Sequence, residues 1–216
     1  MRLILNELFV ICLVATWGIQ HSLLASNKVK SKFGVDPLNR WYRIGYIVVS
    51  ILTLIGLEML ISIVLLPQGT KFAPFIDILT FNGKIVYYIL LITAWVIGLG
   101  AFIQINPLAF FGIMREKPSS IKIKLFYRFS RHPMYAGVFL GLTAGILIST
   151  NTVDLVKIIS YMSYLTIGAR FEEKRMKTNM EGYDIMYTRG FFFPYRAKHF
   201  QILLGRDISS EKKNKN

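Results

Sequence analysis

The chain has 216 residues, of which 53% are hydrophobic, and a mean hydropathy of +0.45. A water-soluble domain of this size rarely carries so much apolar residue, so the composition predicts an integral-membrane chain. A formal net charge of +14 would point to nucleic acid in a soluble protein; here the lysines and arginines flank long apolar runs, which assigns them to topology and anionic lipid headgroups and excludes a nucleic-acid partner.

Measured against the roughly 20 residues that cross a bilayer, five apolar stretches read as spans. They cover about 8–24, 46–66, 85–105, 133–150 and 153–168. The first has only Arg2 in its leading segment and no small-residue cleavage site after it, so it reads as a span and not as a signal peptide. "NPLAFFGIM", Asn106 to Met114, is too short to cross and opens on an Asn-Pro break, which places it at the membrane interface. The last two spans meet at a tight turn, Asn151 and Thr152, and predict an antiparallel C-terminal hairpin. The final helix is expected to run on past the membrane, because "ARFEEKRMKTNM" favours helix and contains no breaker. Residues 1–205 thus read as one all-α, polytopic membrane bundle with a cytoplasmic extension, and the polar stretch 206–216 as a disordered tail.

The basic residues set the orientation. Lys28, Lys30, Lys32, Arg40 and Arg43 follow the first span. Arg115, Lys117, Lys122, Lys124, Arg128 and Arg131 follow the third, and Arg170, Lys174, Arg175 and Lys177 follow the fifth. The alternate connections hold little beyond Lys71 and Asp77. Five spans with the N-terminus outside put all three basic segments in the cytoplasm. Cys12 is the single cysteine, which excludes an intramolecular disulfide and a cysteine zinc site. His21, His132 and His199 lack metal-ligand spacing, so no metal centre is expected.

The polar residues with chemical potential lie at the cytoplasmic ends of the spans: Gln20, His21 and Ser22; Gly98 and Gly100; Arg131, His132 and Pro133; Arg170, Glu172 and Glu173. Pro133 suits the first turn of a helix and Ser130 is a candidate cap. The helix N-terminus, with Arg131 and His132 beside it, is suited to a carboxylate or phosphate. Arg128 and Arg131 equally suit inner-face anchors. Glu172 and Glu173 point about 100° apart on a helix, so one can face a pocket while the other pairs with a cation such as Arg170 or Lys177. Gly98 and Gly100 ordinarily serve close helix packing. Glu58, inside the second span, must face the interior or a cavity, protonated or paired.

Together, "RHPMYAG", then "RFEE", then a tyrosine-bearing stretch and "FFFPY" resemble the isoprenylcysteine carboxyl methyltransferase and phospholipid methyltransferase superfamily of small membrane enzymes. "WGIQHSLLAS", "FFGI" and "FYRFSRHPMY" look like its methanethiol S-methyltransferase branch. The chain departs from the pattern in having Tyr183 and Tyr187 four residues apart where the family often has three, and Leu125 where it often has glycine. The resemblance implies S-adenosylmethionine as cofactor and residues 84–196 as the catalytic core. It implies cofactor contacts from Gly98, Gly100, Arg131, His132, Tyr135, Glu172 and Glu173. Arg170 would orient an acceptor carboxylate, and His21 belongs to the motif of the thiol branch. The expected acceptor is a lipid or a small amphiphilic or thiol molecule, methylated on sulfur or carboxylate. Phospholipid N-methylation, or a non-catalytic protein retaining the fold, are the alternatives.

Overall fold

The computed structural model describes residues 2–36, 39–111, 113, 125–179 and 183–193. The expected tail at 206–216, the basic stretch holding Arg115, Lys117, Lys122 and Lys124, His199, and the last part of "FFFPY" lie outside the described residues.

The described chain is all-helical. It contains α1 (Arg2–Ala25), α2 (Asn27–Lys32), α3 (Arg40–Leu60), α4 (Phe81–Gln104), α5 (Pro107–Phe110), α6 (Pro133–Ile148) and α7 (Thr152–Asn179), with two isolated bridges and no strand among the described residues. Side-chain caps account for several starts. Ser26 accepts from Val29 N (3.3 Å), Asn39 from Tyr42 N (3.0 Å) and Thr80 from Gly83 N (3.1 Å), each satisfying an amide that has no partner within its helix. At the end of α4, Asn106 takes φ 60°, a left-handed conformation asparagine tolerates, and Pro107 opens the short α5. Beyond Leu60 the α3 ladder widens into a π-turn, Ile61–Leu65, before closing in a 3₁₀ turn, Leu66–Gln68.

Three helical stretches are long and apolar enough to cross a membrane: Ile4–Ala25, Arg40–Gln68 and Phe81–Gln104. Their outward faces carry bare apolar side chains such as Leu52, Ile63 and Trp95, each more than 60% exposed, a surface suited to lipid and not to water. At 16 residues α6 is apolar but only about 24 Å long, short of a bilayer core of roughly 30 Å. With its 28 residues α7 has the length, about 42 Å, but Asp154 and Lys157 dilute its apolar half. Its unbroken course through Asn179 follows the helix-favouring sequence after Ala169.

Packing divides the bundle. One core joins α1, α3 and α7 through Val10, Val14, Leu57, Ile61 and Val153. α6 packs along α4, where Gly137 lies against Gly98; a Cβ on Gly137 would come within 2.5 Å of the Gly98 backbone, so only glycine permits this approach. α6 and α7 are joined by a short connection, yet each packs mainly on a different helix. Ala136 and Ala169 bring them together beside Phe192.

Candidate functional site

The segment entering α6 is tied to the chain beyond α7 by backbone hydrogen bonds. Arg131 N donates to Gly190 O (2.9 Å), His132 N to Phe191 O (3.3 Å) and Gly190 N to Phe129 O (3.2 Å). Ser130 is completely buried, donates to Phe191 O (3.1 Å) and accepts from His132 N (3.1 Å). This corrects the expected cap: His132 is the N-cap residue of α6 and no side chain caps the helix, because the Ser130 hydroxyl is engaged within the connection. Pro133 does occupy the first turn.

That tether aims a guanidinium and an imidazole at one carboxylate. Arg131 Nη1 lies 3.0 Å and His132 Nε2 3.2 Å from Glu173 Oε1. All three residues are largely buried, with Glu173 at 8% exposure. Burial, and then the Arg131 charge, push the His132 imidazole down to about 4, so it is neutral near pH 7 and its Nε2–H tautomer donates to Glu173. Burial holds the Glu173 carboxyl above the usual carboxylate range against the pull of Arg131 and Arg170. The guanidinium of Arg131 also sits over Tyr187 (4.7 Å) and Phe191 (5.2 Å), while His132 stacks on Tyr135 (5.6 Å, 15°).

Glu172, on the adjacent face of α7, lies beside Tyr135. Burial raises its pKa, opposed by the Tyr135 hydroxyl and by Arg175. Tyr183 is buried, edge-on to Tyr187 (6.0 Å), and its pKa is raised by burial and by the charges of Glu173 and Glu172. Its hydroxyl, like Arg131 Nε, has no hydrogen-bond partner among the described residues.

Of the residues singled out by sequence, Arg131, His132, Tyr135, Glu172 and Glu173 therefore gather where α6 meets α7. Arg170 is exposed one turn before Glu173 and bears on it electrostatically. The glycines face protein: Gly98 meets Gly137, and the Phe126 ring fills the space beside Gly100. His21 belongs to a separate aromatic group, stacked on Trp17 (5.8 Å) and edge-on to Tyr46 (6.1 Å), with Nδ1 unpartnered among the described residues. Trp17 in turn meets Tyr164 of α7 (5.2 Å). Sequence reading missed Tyr187, Phe191 and Phe192 as the aromatic walls of the site; their signal was the density of rings just after "RFEE".

The cluster thus holds two carboxylates, one of them engaged by Arg131 and His132, together with a buried tyrosine hydroxyl and an Arg131 Nε that have no partner among the described residues. Comparison of the chain with protein-family models, curated proteins and solved structures finds no match.

Proposed function

We propose that the chain is an integral-membrane methyltransferase that uses S-adenosylmethionine and methylates a sulfur or carboxylate acceptor. One observation carries this reading: Arg131 and His132 from one motif and Glu173 from the other meet at 3.0 and 3.2 Å, with Glu172 and Tyr135 alongside. In the topology proposed with it, α6 and the first half of α7 complete five spans, forming a C-terminal hairpin. The N-terminus lies outside and this cluster at the cytoplasmic face, in accord with the basic loops.

Bound S-adenosylmethionine supplies an activated methyl group on a sulfonium. Glu172, beside Tyr135, presents a carboxylate for an ammonium or ribose hydroxyl, and the Tyr183 hydroxyl adds a donor or acceptor. Arg131 and His132 act by fixing Glu173. Arg170 is exposed at the edge of the cluster, where it can hold an acceptor carboxylate in two hydrogen bonds. A thiol acceptor must lose its proton; His21 can take it only if the acceptor reaches the Trp17–Tyr46 group. Positioning for in-line displacement is the protein's contribution.

The test is incubation of purified protein with methyl-labelled S-adenosylmethionine and prenylated cysteine, small thiols, phosphatidylethanolamine or total lipid. Labelled product in the sulfur or carboxylate arms supports the proposal; label only in phosphatidylethanolamine supports phospholipid N-methylation. A non-catalytic role has one observation in its favour: Arg131 and His132 are already satisfied by Glu173 and the glycine faces are filled by protein. No label in any arm, and no cofactor binding, supports that role.

A further inference from the structure

Roughly 24 Å along α7 from Glu173, toward the other end of the bundle, lies a second polar cluster that the proposed reaction does not use. Lys157 Nζ is 3.2 Å from Glu58 Oε2 and 3.2 Å from Asp154 Oδ1, bridging α3 and the first turn of α7. Tyr161 donates to Glu58 Oε1 at 2.6 Å, and Ser149 donates to Asp154 Oδ2 at 3.1 Å. These residues line a cavity of about 710 Å³, within the range of roughly 300–1,000 Å³ typical of small-molecule sites. Its remaining wall is mainly apolar, built largely from Leu66, Leu142, Ile148 and Ile158, with Thr150, Asn151 and Lys71 also bordering it.

The charges are separated by position. Two carboxylates share the Lys157 ammonium, and Lys71, which borders the same cavity without an ion pair to either, brings the four charges to balance. Each carboxylate oxygen has one donor here and can accept a second, so a group with several N–H donors suits the gap. Lys71, exposed in the connection before α4, is a cation facing the same cavity and is suited to an anion. The Glu58 side chain keeps 38% of its surface accessible, so the charged wall is reachable.

We propose that this cavity binds the head of a membrane phospholipid carrying both a primary ammonium and a phosphate. The ammonium lies against Glu58 and Asp154, the phosphate on Lys71, and the start of an acyl chain along the apolar wall. A trimethylated ammonium has no N–H to give, and a purely anionic head offers no donor to the two carboxylates, so neither matches the site. A free amine matches the carboxylates but leaves the apolar wall unused.

Native mass spectrometry of the full chain, released from nanodiscs holding equal parts of ethanolamine-, choline- and glycerol-headed phospholipids, tests this. The wild type is expected to retain the ethanolamine lipid several-fold over the others. Retention should fall about tenfold in Glu58→Gln/Asp154→Asn and several-fold in Lys71→Met, whose position in an exposed connection spares the helices. Equal retention of all three lipids, or an unchanged preference in Lys71→Met, overturns the proposal. Thermal unfolding in detergent supplies the second readout: added ethanolamine lipid should raise the Tm, as any ligand selective for the native state does. Free ethanolamine producing the same rise, or the lipid producing none, also overturns it. Neither readout involves S-adenosylmethionine or methyl transfer, so the outcome is independent of the proposed reaction.

Discussion

Breaking the Arg131–Glu173 pair should weaken the fold far more than an ordinary surface substitution does. The two side chains retain only 9% and 10% of their surface, and their contact is 3.0 Å. Removing one partner of such a pair leaves an uncompensated buried charge, at a cost of about 3–5 kcal/mol. Arg131 would keep its stacking on Tyr187 and Phe191, so Glu173→Gln should fall at the lower end of that range and Arg131→Ala at the upper. The two effects should not add: once one charge is gone, losing the other relieves the mismatch. The double variant Arg131→Ala/Glu173→Gln should therefore be no worse than the worse single, a coupling of about 3 kcal/mol or more. Unfolding by denaturant in a fixed detergent micelle measures all four corners of the cycle. Additivity within about 0.5 kcal/mol would refute the reasoning, because it would mean that the pair is solvent-screened.

Stability should also respond to acid through His132. Its folded-state pKa of about 4 lies below the ordinary 6.5, so the unfolded chain binds the extra proton first and stability falls as pH drops from about 6.5 toward 4, by roughly 3 kcal/mol in total. Glu172 and Glu173, whose pKa values are raised, act with the opposite sign, and His132→Gln should remove the loss and expose their contribution in a pH series of unfolding curves. At the α4–α6 crossing, Gly137→Ala should cost about 1–3 kcal/mol by forcing a Cβ onto the Gly98 backbone, whereas Gly98→Ala, whose nearest neighbour would be 3.6 Å away, should be tolerated; thermal unfolding ranks the two. Tyr135→Phe removes the hydroxyl beside Glu172 and should weaken S-adenosylmethionine binding several-fold in calorimetry with little change in Tm.

The helices were legible because apolar runs, caps and breakers act locally. Asn106-Pro107 ends α4 through a left-handed asparagine, and the run after Ala169 continues as helix because nothing in it stops one. Partners distant in sequence were not legible. Glu58 could be read as needing a partner, but its choice of Lys157 and Tyr161 depends on α3 and α7 sharing a core. Ser130 had the residue type of a cap, yet the connection through Gly190 and Phe191 takes its hydroxyl. Arg131 and His132 could be placed near an anion, and the anion they hold is the chain's own Glu173. At the crossing beside Gly98, the glycine that the close approach requires is Gly137.

Calorimetric titration of S-adenosylmethionine into the detergent-purified full chain, with Glu172→Gln alongside, tests the central claim most directly. The account predicts saturable one-site binding to the wild type and at least tenfold weaker binding to Glu172→Gln, with the two proteins unfolding at similar temperatures. No binding to the wild type, or equal affinity in the variant, would contradict it.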